Sequence, residues 1–342
     1  MENQANGLGK VNKKLTSVEK ATSTILKNIP VLSSHEEIVL NSLGKTLAKP
    51  VTALLSNPPS DVSSMDGYAL KNSDIDNGVL EFTVIDESVA GKSSSKTVAT
   101  MQTVRIFTGA KIPHGADRVI LQEDVKRLGN NLIKINKNKL ENNNFFIRKT
   151  GMDFQLGEKL IDKGEVLNTR NISLCVASGN SWVTIRRKPK IGIISTGNEL
   201  LKFGEIQNSK NNDKIISSNG IFLFNFINQL GGEAFILPTA KDDIKSLTNI
   251  LDEANDLDLI ISSGGASVGD YDIVQRALEK NNFELLFWRI AMRPGKPLFF
   301  GLLEKIPFLG LPGNPVSTGV CSIIFLTKII QKFFGRQVSE NI

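Results

Sequence analysis

The sequence predicts an α/β protein: a doubly wound, mostly parallel sheet domain, an inserted β-rich domain and an α+β linking region. Three observations carry this. From Lys190 onward, apolar strand-like runs alternate with helical patterns, the rhythm of a parallel sheet covered on both faces. Residues 53–140 instead hold short β-type runs cut by Gly, Asn and Ser turns. The stretches flanking that insert mix helical and strand patterns and read as one region. The boundaries that follow are 1–52 with 141–188 for an elongated linking domain, 53–140 for the insert, and 189–342 for the sheet domain.

Taken in order, the polar start MENQANGLGKVNKKL lacks the apolar core of a secretory signal. Residues 16–46 read as two helices, LTSVEKATSTILKNI and SSHEEIVLNSLGKTLA, the second with Ser33 or Ser34 as N-cap and Gly44 near its end. Strands are expected at LEFTVID, TVRIF and RVILQEDV, and mixed strand and helix around LNTRNISLCVASG. In the sheet domain, strands are expected at Ile191–Ser195, Ala234–Leu237, Leu257–Ser262, Leu285–Trp288 and Pro307–Leu311. Helices fall between them near Asn219–Leu230, Asp242–Ala254 and Asp272–Lys280. The most apolar helical stretch, Thr318–Phe334, is interrupted by Lys328 and Lys332 and reads as a packed core helix.

Composition narrows the function classes. An apolar content of 40% and a charged content of 22% are ordinary for a globular chain of 342 residues. The formal charge of +6 is spread along the sequence without a basic run or aromatic interleaving, which speaks against nucleic acid and suits small polyanions. No long uncharged apolar run suggests a membrane span. Cys175 and Cys321 sit among apolar neighbours and read as reduced and buried, which suits the cytoplasm. Two cysteines and two histidines, none clustered, argue against zinc.

The chemistry-bearing segments of the second half all follow an expected strand. ISSGGASVGDYD leaves its strand through Ser263, Gly264 and Gly265, where glycines let backbone N–H groups approach an anion. ISTGNEL turns at Thr196 and Gly197 and presents Glu199. MRPGKP holds Arg293, a planar fork, and Lys296, a point charge, between two prolines. LPGNPVS opens the final helix. Carboxylates at Glu199, Asp242, Asp270 and Asp272 beside an anion site imply a divalent cation bridging carboxylate and phosphate. The pattern reads as phosphate or pyrophosphate recognition at the carboxyl ends of the strands. In the first half, PPSDVSSMDGYAL and RIFTGAKIPHGADRVILQED cluster acids, hydroxyls and glycine turns, and spacing alone assigns them no role.

Read together, SDVSSMDGYA, RIFTGAKIPHGADRVILQED, GMDFQLG, ISTGNEL, ISSGGASVGDYD, MRPGKP and LPGNPVS resemble the MoeA/gephyrin family, the molybdopterin molybdenumtransferases, from about Leu15 to Gly335. The resemblance implies the last step of molybdenum cofactor synthesis. Adenylated molybdopterin is bound, its pyrophosphate bond is hydrolysed with Mg²⁺ and AMP released, and molybdate enters the dithiolene. The ligating sulfurs belong to the pterin, so no ligand cysteine is needed. Carried over motif by motif, Asp61, Thr108, Glu199 and Lys296 are the expected catalytic residues. Arg148, Asp153, Thr196, Gly197, Ser263 and Gly264 are expected to bind substrate, as are Gly265, Ser267, Asp272, Arg293, Pro312 and Ser317. Glu199, Asp242, Asp270 and Asp272 are expected to hold Mg²⁺.

The resemblance also implies a homodimer and an adenylyltransferase partner of the same pathway. The chain departs from the family pattern at Ser60, Val62, Asn198 and Ser217, and the family's C-terminal β-barrel domain is expected to be absent. Two alternatives stand beside this reading. One is a molybdopterin adenylyltransferase, the other a catalytically impaired binding or scaffold protein of the same fold.

Overall fold

The computed structural model describes residues 15–140, 144–197, 200–201, 214–238, 248–250, 254, 256–264 and 282–338. The chain divides into two compact units. One comprises the chain up to Lys49, Asp162–Asn168 and the chain from Trp182 on; the other comprises Pro50–Ile161 and Thr169–Ser181.

The first unit is built on a six-stranded sheet of β1 (Lys190–Ser195), β2 (Glu233–Ile236), β3 (Leu259–Ser263), β4 (Phe283–Trp288), β5 (Phe299–Leu303) and β6 (Ile306–Leu311). Across the sheet the order is β2-β1-β3-β6-β5-β4. Strands β2, β1, β3 and β6 pair in parallel, and β5 runs antiparallel to both β6 and β4. All strands but β5 therefore end at the same edge. Period-two alternation divides their side chains between two apolar layers. Ile191, Ile193, Leu259, Ile261 and Leu309 face a layer that includes Ala21, Ile25, Leu223 and Phe325. Ile194, Ile260, Phe299 and Phe308 face the other, with Ile250 and Ala254. The five expected strands form, each within two residues of its expected limits. Strand β5 adds to the expected set: Glu304, at φ 55°, and Lys305 turn FFGLL back onto IPFLGL as a hairpin.

Helix α1 (Val18–Lys27) starts at Ser17, whose hydroxyl accepts from the Lys20 N–H at 3.2 Å, and buries Ala21 and Ile25. The second N-terminal helix does not exist. Ser34–Ile38 is a strand paired antiparallel with Trp182–Arg186, followed by a single 3₁₀ turn at Val39–Asn41. The acidic pair that suggested a first helical turn is partly spent elsewhere, since Glu37 pairs with Lys45 at 2.7 Å. The partner strand lies far along the sequence, so no local pattern reveals it. Helix α2 (Ser218–Gln229) matches its expected position. The expected helices at 242–254 and 272–280 lie mainly or wholly outside the described residues. Pro315–Phe333 is a single helix with a π-type turn at Ser322–Leu326, and is long and apolar enough to cross a membrane. Half of its most apolar window is nevertheless buried, with Phe325, Ile329 and Phe333 in the core.

The second unit holds a six-stranded sheet in the order Arg118–Leu121, Gly67–Leu70, Gln102–Ile106, Glu81–Ser88, Leu132–Ile135, Val125–Arg127. Its one parallel pair joins Glu81–Ser88 to Gln102–Ile106. Tyr68, Leu70, Phe82, Ile120 and Ile133 pack on one side and Ala69, Ile106 and Val119 on the other. RVILQEDV breaks into two strands around a 3₁₀ turn at Gln122–Asp124. Thr169–Ala177 forms a helix that buries Cys175.

Candidate functional site

In the first unit, the motif loops leave a common edge. Registers Ser195–Ser263 and Ser263–Leu311 align the ends of β1, β3 and β6, and β4 ends at the same edge before MRPGKP. The turn after β3 lies against the turn after β1. Gly264 sits at φ +96°, and a Cβ there would stand 2.7 Å from the Thr196 carbonyl oxygen, so only glycine fits. Asn219, at the start of α2, donates to the Ser263 hydroxyl at 3.0 Å and to the Gly313 carbonyl at 2.7 Å. It ties the β3 turn to the β6 turn, a role that spacing did not reveal.

The polar groups at this rim divide by how they are used. Thr196 and Gly264 spend their N–H groups on Ser263 and Leu311 carbonyls, each at 3.3 Å, and the rest of the expected donor run, 265–267, lies outside the described residues. Ser317 lies in the first turn of the final helix, and its N–H donates at 3.2 Å to the side chain of Asn314, the N-cap, with Pro315 at the first helical position. The Thr196 and Ser262 hydroxyls are buried and have no hydrogen-bond partner among the described residues. A buried unpaired hydroxyl costs about 1–3 kcal/mol; Thr196 lies in the turn after β1 and Ser262 within β3. Arg293 and Lys296 are exposed, with no side-chain partner among the described residues. Gly197, at φ +142°, closes the described part of its turn. Glu199, Asp242, Gly265, Ser267, Asp270 and Asp272 lie outside the described residues. Among the described residues no group of three His, Cys, Asp or Glu side chains could hold a metal ion.

The second unit gathers its nominated residues on one polar surface. Ile147–Arg148 pairs antiparallel with Val62–Ser63, and the Asp61 carbonyl accepts from the Ile112 N–H at 2.9 Å. These contacts bring Asp61, the 108–112 turn and the 147–153 segment together. Val62, a departure from the family pattern, serves here as a strand residue opposite Arg148. The Asp61 carboxylate accepts from Lys149 Nζ at 2.8 Å and from the N–H and hydroxyl of Thr150 at 2.9 and 3.1 Å. Lys149 first, then the Thr150 N–H, holds its pKa below the ordinary carboxylate value. Thr108 donates both its N–H and its hydroxyl, each at 2.8 Å, to Asp66, whose pKa is lowered by the same bonds. Arg148 and Asp153 pair with each other at 2.6 Å. Lys149, Thr150 and Asp66 went unassigned in the sequence because their partners are set by the strand pairing.

The lowered pKa leaves Asp61 ionised at neutral pH, as an ordinary aspartate also is. The stability it contributes is present above the ordinary carboxylate range near pH 4 and is lost as pH falls through the depressed value. Replacing Lys149 by Ala removes the largest cause. The Asp61 carboxyl carbon, followed by NMR, is then expected to titrate at higher pH than in the parent; an unchanged midpoint would contradict the assignment.

Comparison with known proteins places both halves. Residues 16–179 match the MoeA N-terminal region (domain I and II), and residues 192–332 match a probable molybdopterin binding domain. A molybdopterin molybdenumtransferase of Nostoc sp. is 32% identical over 94% of this chain and 75% of its own length. One from Staphylococcus aureus (strain COL) is 34% identical over 93% of this chain and 76% of its own. The crystal structure of a molybdopterin biosynthesis MoeA protein from Pyrococcus horikosii superposes with a TM-score of 0.84 at 31% identity, covering 95% of this chain and 81% of that one.

Proposed function

This chain belongs to the molybdopterin molybdenumtransferases, the family of MoeA, and we propose that the common strand edge of its first unit binds adenylated molybdopterin and receives molybdate. It is a transferase of molybdenum cofactor biosynthesis. One observation carries the assignment of the edge. Four motif-bearing loops leave the same end of the sheet, two of them presenting polar groups without a partner among the described residues: the Arg293 and Lys296 cations and the Thr196 hydroxyl. A pyrophosphate and a molybdate are both oxyanions, and such groups recognise them directly. Arg293 suits a bidentate contact to phosphate and Lys296 a compact charge beside the oxygen that leaves with AMP. On the second unit, the Asp61, Thr108 and Arg148 surface belongs to the same proposal, with ionised Asp61 as an orienting anion.

Mg²⁺ is proposed as the metal on the strength of Glu199, Asp242, Asp270 and Asp272. The described rim residues, hydroxyls and cations, suit an oxyanion and not a metal, so the fit rests on those four carboxylates. A homodimer, a cytoplasmic location and an adenylyltransferase of the same pathway as partner complete the proposal. The test is AMP release from adenylated molybdopterin in the presence of molybdate, with and without Mg²⁺. Release and active cofactor only with Mg²⁺ support it. Consumption of ATP with free molybdopterin would select adenylyl transfer, and tight adenylate binding without release would select a binding role.

A further inference from the structure

We infer that a pocket at the opposite, N-terminal edge of the first unit's sheet binds a small organic anion, a phosphate or carboxylate carried on a planar apolar body. The pocket has a volume of about 450 Å³, within the range of small-molecule sites. Its apolar lining comes from Leu43, Ile185 and Phe334, the last two buried. Its polar lining is cationic: Arg186, Arg187, Lys188 and Lys190, with Lys45 beside them.

Not all of that charge is available. Arg187 is clamped on Asp258 by two bonds of 2.6 Å, and Lys45 is paired with Glu37 at 2.7 Å. Lys188 and Lys190 are exposed and have no side-chain partner among the described residues. Arg186 gives one N–H to the Leu32 carbonyl at 2.7 Å, while its Nε is buried with no partner among the described residues. Against these stands Glu233, the only carboxylate among the lining residues. An apolar floor under a surplus of unpaired cations is the complement of an amphiphilic anion, since the ring is desolvated while the charge is matched.

The pocket is separate from the edge described above. Lys190 and Glu233 are register partners at the starts of β1 and β2, and the motif loops begin beyond Ser195. That is about 16 Å of strand at the usual rise per residue. An occupant would leave the motif loops untouched, so this inference stands or falls apart from the proposed reaction.

The test is calorimetric titration of the full chain with 1-naphthyl phosphate. Saturable binding at one site is expected, weakened by about tenfold or more in the Lys188→Ala/Lys190→Ala double variant and in Leu43→Ser. Inorganic phosphate alone and 1-naphthol alone should each bind at least about tenfold more weakly than the whole probe. Lys296→Ala should leave the affinity unchanged. Absence of saturable binding, equal affinity for inorganic phosphate, or sensitivity to Lys296→Ala but not to the pocket variants would overturn the inference. A crystal soaked with the probe gives a second reading, with density expected between Phe334 and Lys188; density at the motif loops alone would also overturn it.

Discussion

Lys296→Ala is expected to lower molybdenum insertion by about 100-fold while shifting the melting temperature by no more than about 2 °C. The asymmetry follows from how the residue is used. Its side chain is exposed and unpartnered among the described residues, so truncation removes no internal contact. Its backbone holds the loop: the carbonyl accepts from the N–H groups of Ile290 and Leu298, both at 3.0 Å, and alanine keeps both bonds. What alanine would lose, on the proposed reading, is a positive charge beside negative charge that grows on the departing phosphate oxygen. Groups of that kind commonly carry two to three orders of magnitude in rate. Lys296→Arg should recover part of the loss, because the charge returns but the compact geometry does not. The measurement is AMP release and cofactor yield beside a thermal melt. An activity loss accompanied by a fall of many degrees would make Lys296 a structural residue.

How far the sequence revealed this arrangement depends on the range of each cause. The parallel strands were legible because burial on both faces leaves continuous apolar runs such as LDLIISS, bounded by glycine turns. The common edge followed from topology, since successive parallel strands must end on one side. Ser34–Ile38 was illegible because its conformation is decided by Trp182–Arg186, a remote partner that overrides a helix-like acidic pattern. The polar surface around Asp61 was half legible. The acids and hydroxyls are visible in SDVSSMDG, but the cation paired with Asp61 lies at Lys149 across a strand pair. The same holds for Asn219, which reads as an ordinary first-turn residue until Ser263 and Gly313 are seen beside it. The bond from the Gly264 N–H to the Leu311 carbonyl was equally hidden, because it is set by a neighbouring strand.

Gly67→Ala is expected to destabilise the second unit by about 3 kcal/mol or more, lowering its melting temperature by about 10 °C. Gly67 is not a turn residue. It lies in a strand flanked on both sides, opposite Ile106 on one neighbour and Leu121 on the other. A Cβ there would stand 2.0 Å from the Ile120 carbonyl oxygen and 2.9 Å from its carbon. Those atoms are backbone, so relief requires parting two paired strands, and Tyr68 and Ile120 on that pair belong to the core. The damage should reach the polar surface next door. Asp66 precedes Gly67 and holds Thr108 through two bonds, so shifting the strand loosens Thr108 as well. Urea unfolding reports the stability, and amide exchange at Gly67 and Ile120 reports the strand pair. A melting temperature within about 2 °C of the parent, with unchanged exchange, would mean that the pair relaxes freely. The strand that begins at Gly67 would then owe its glycine to something other than this close approach.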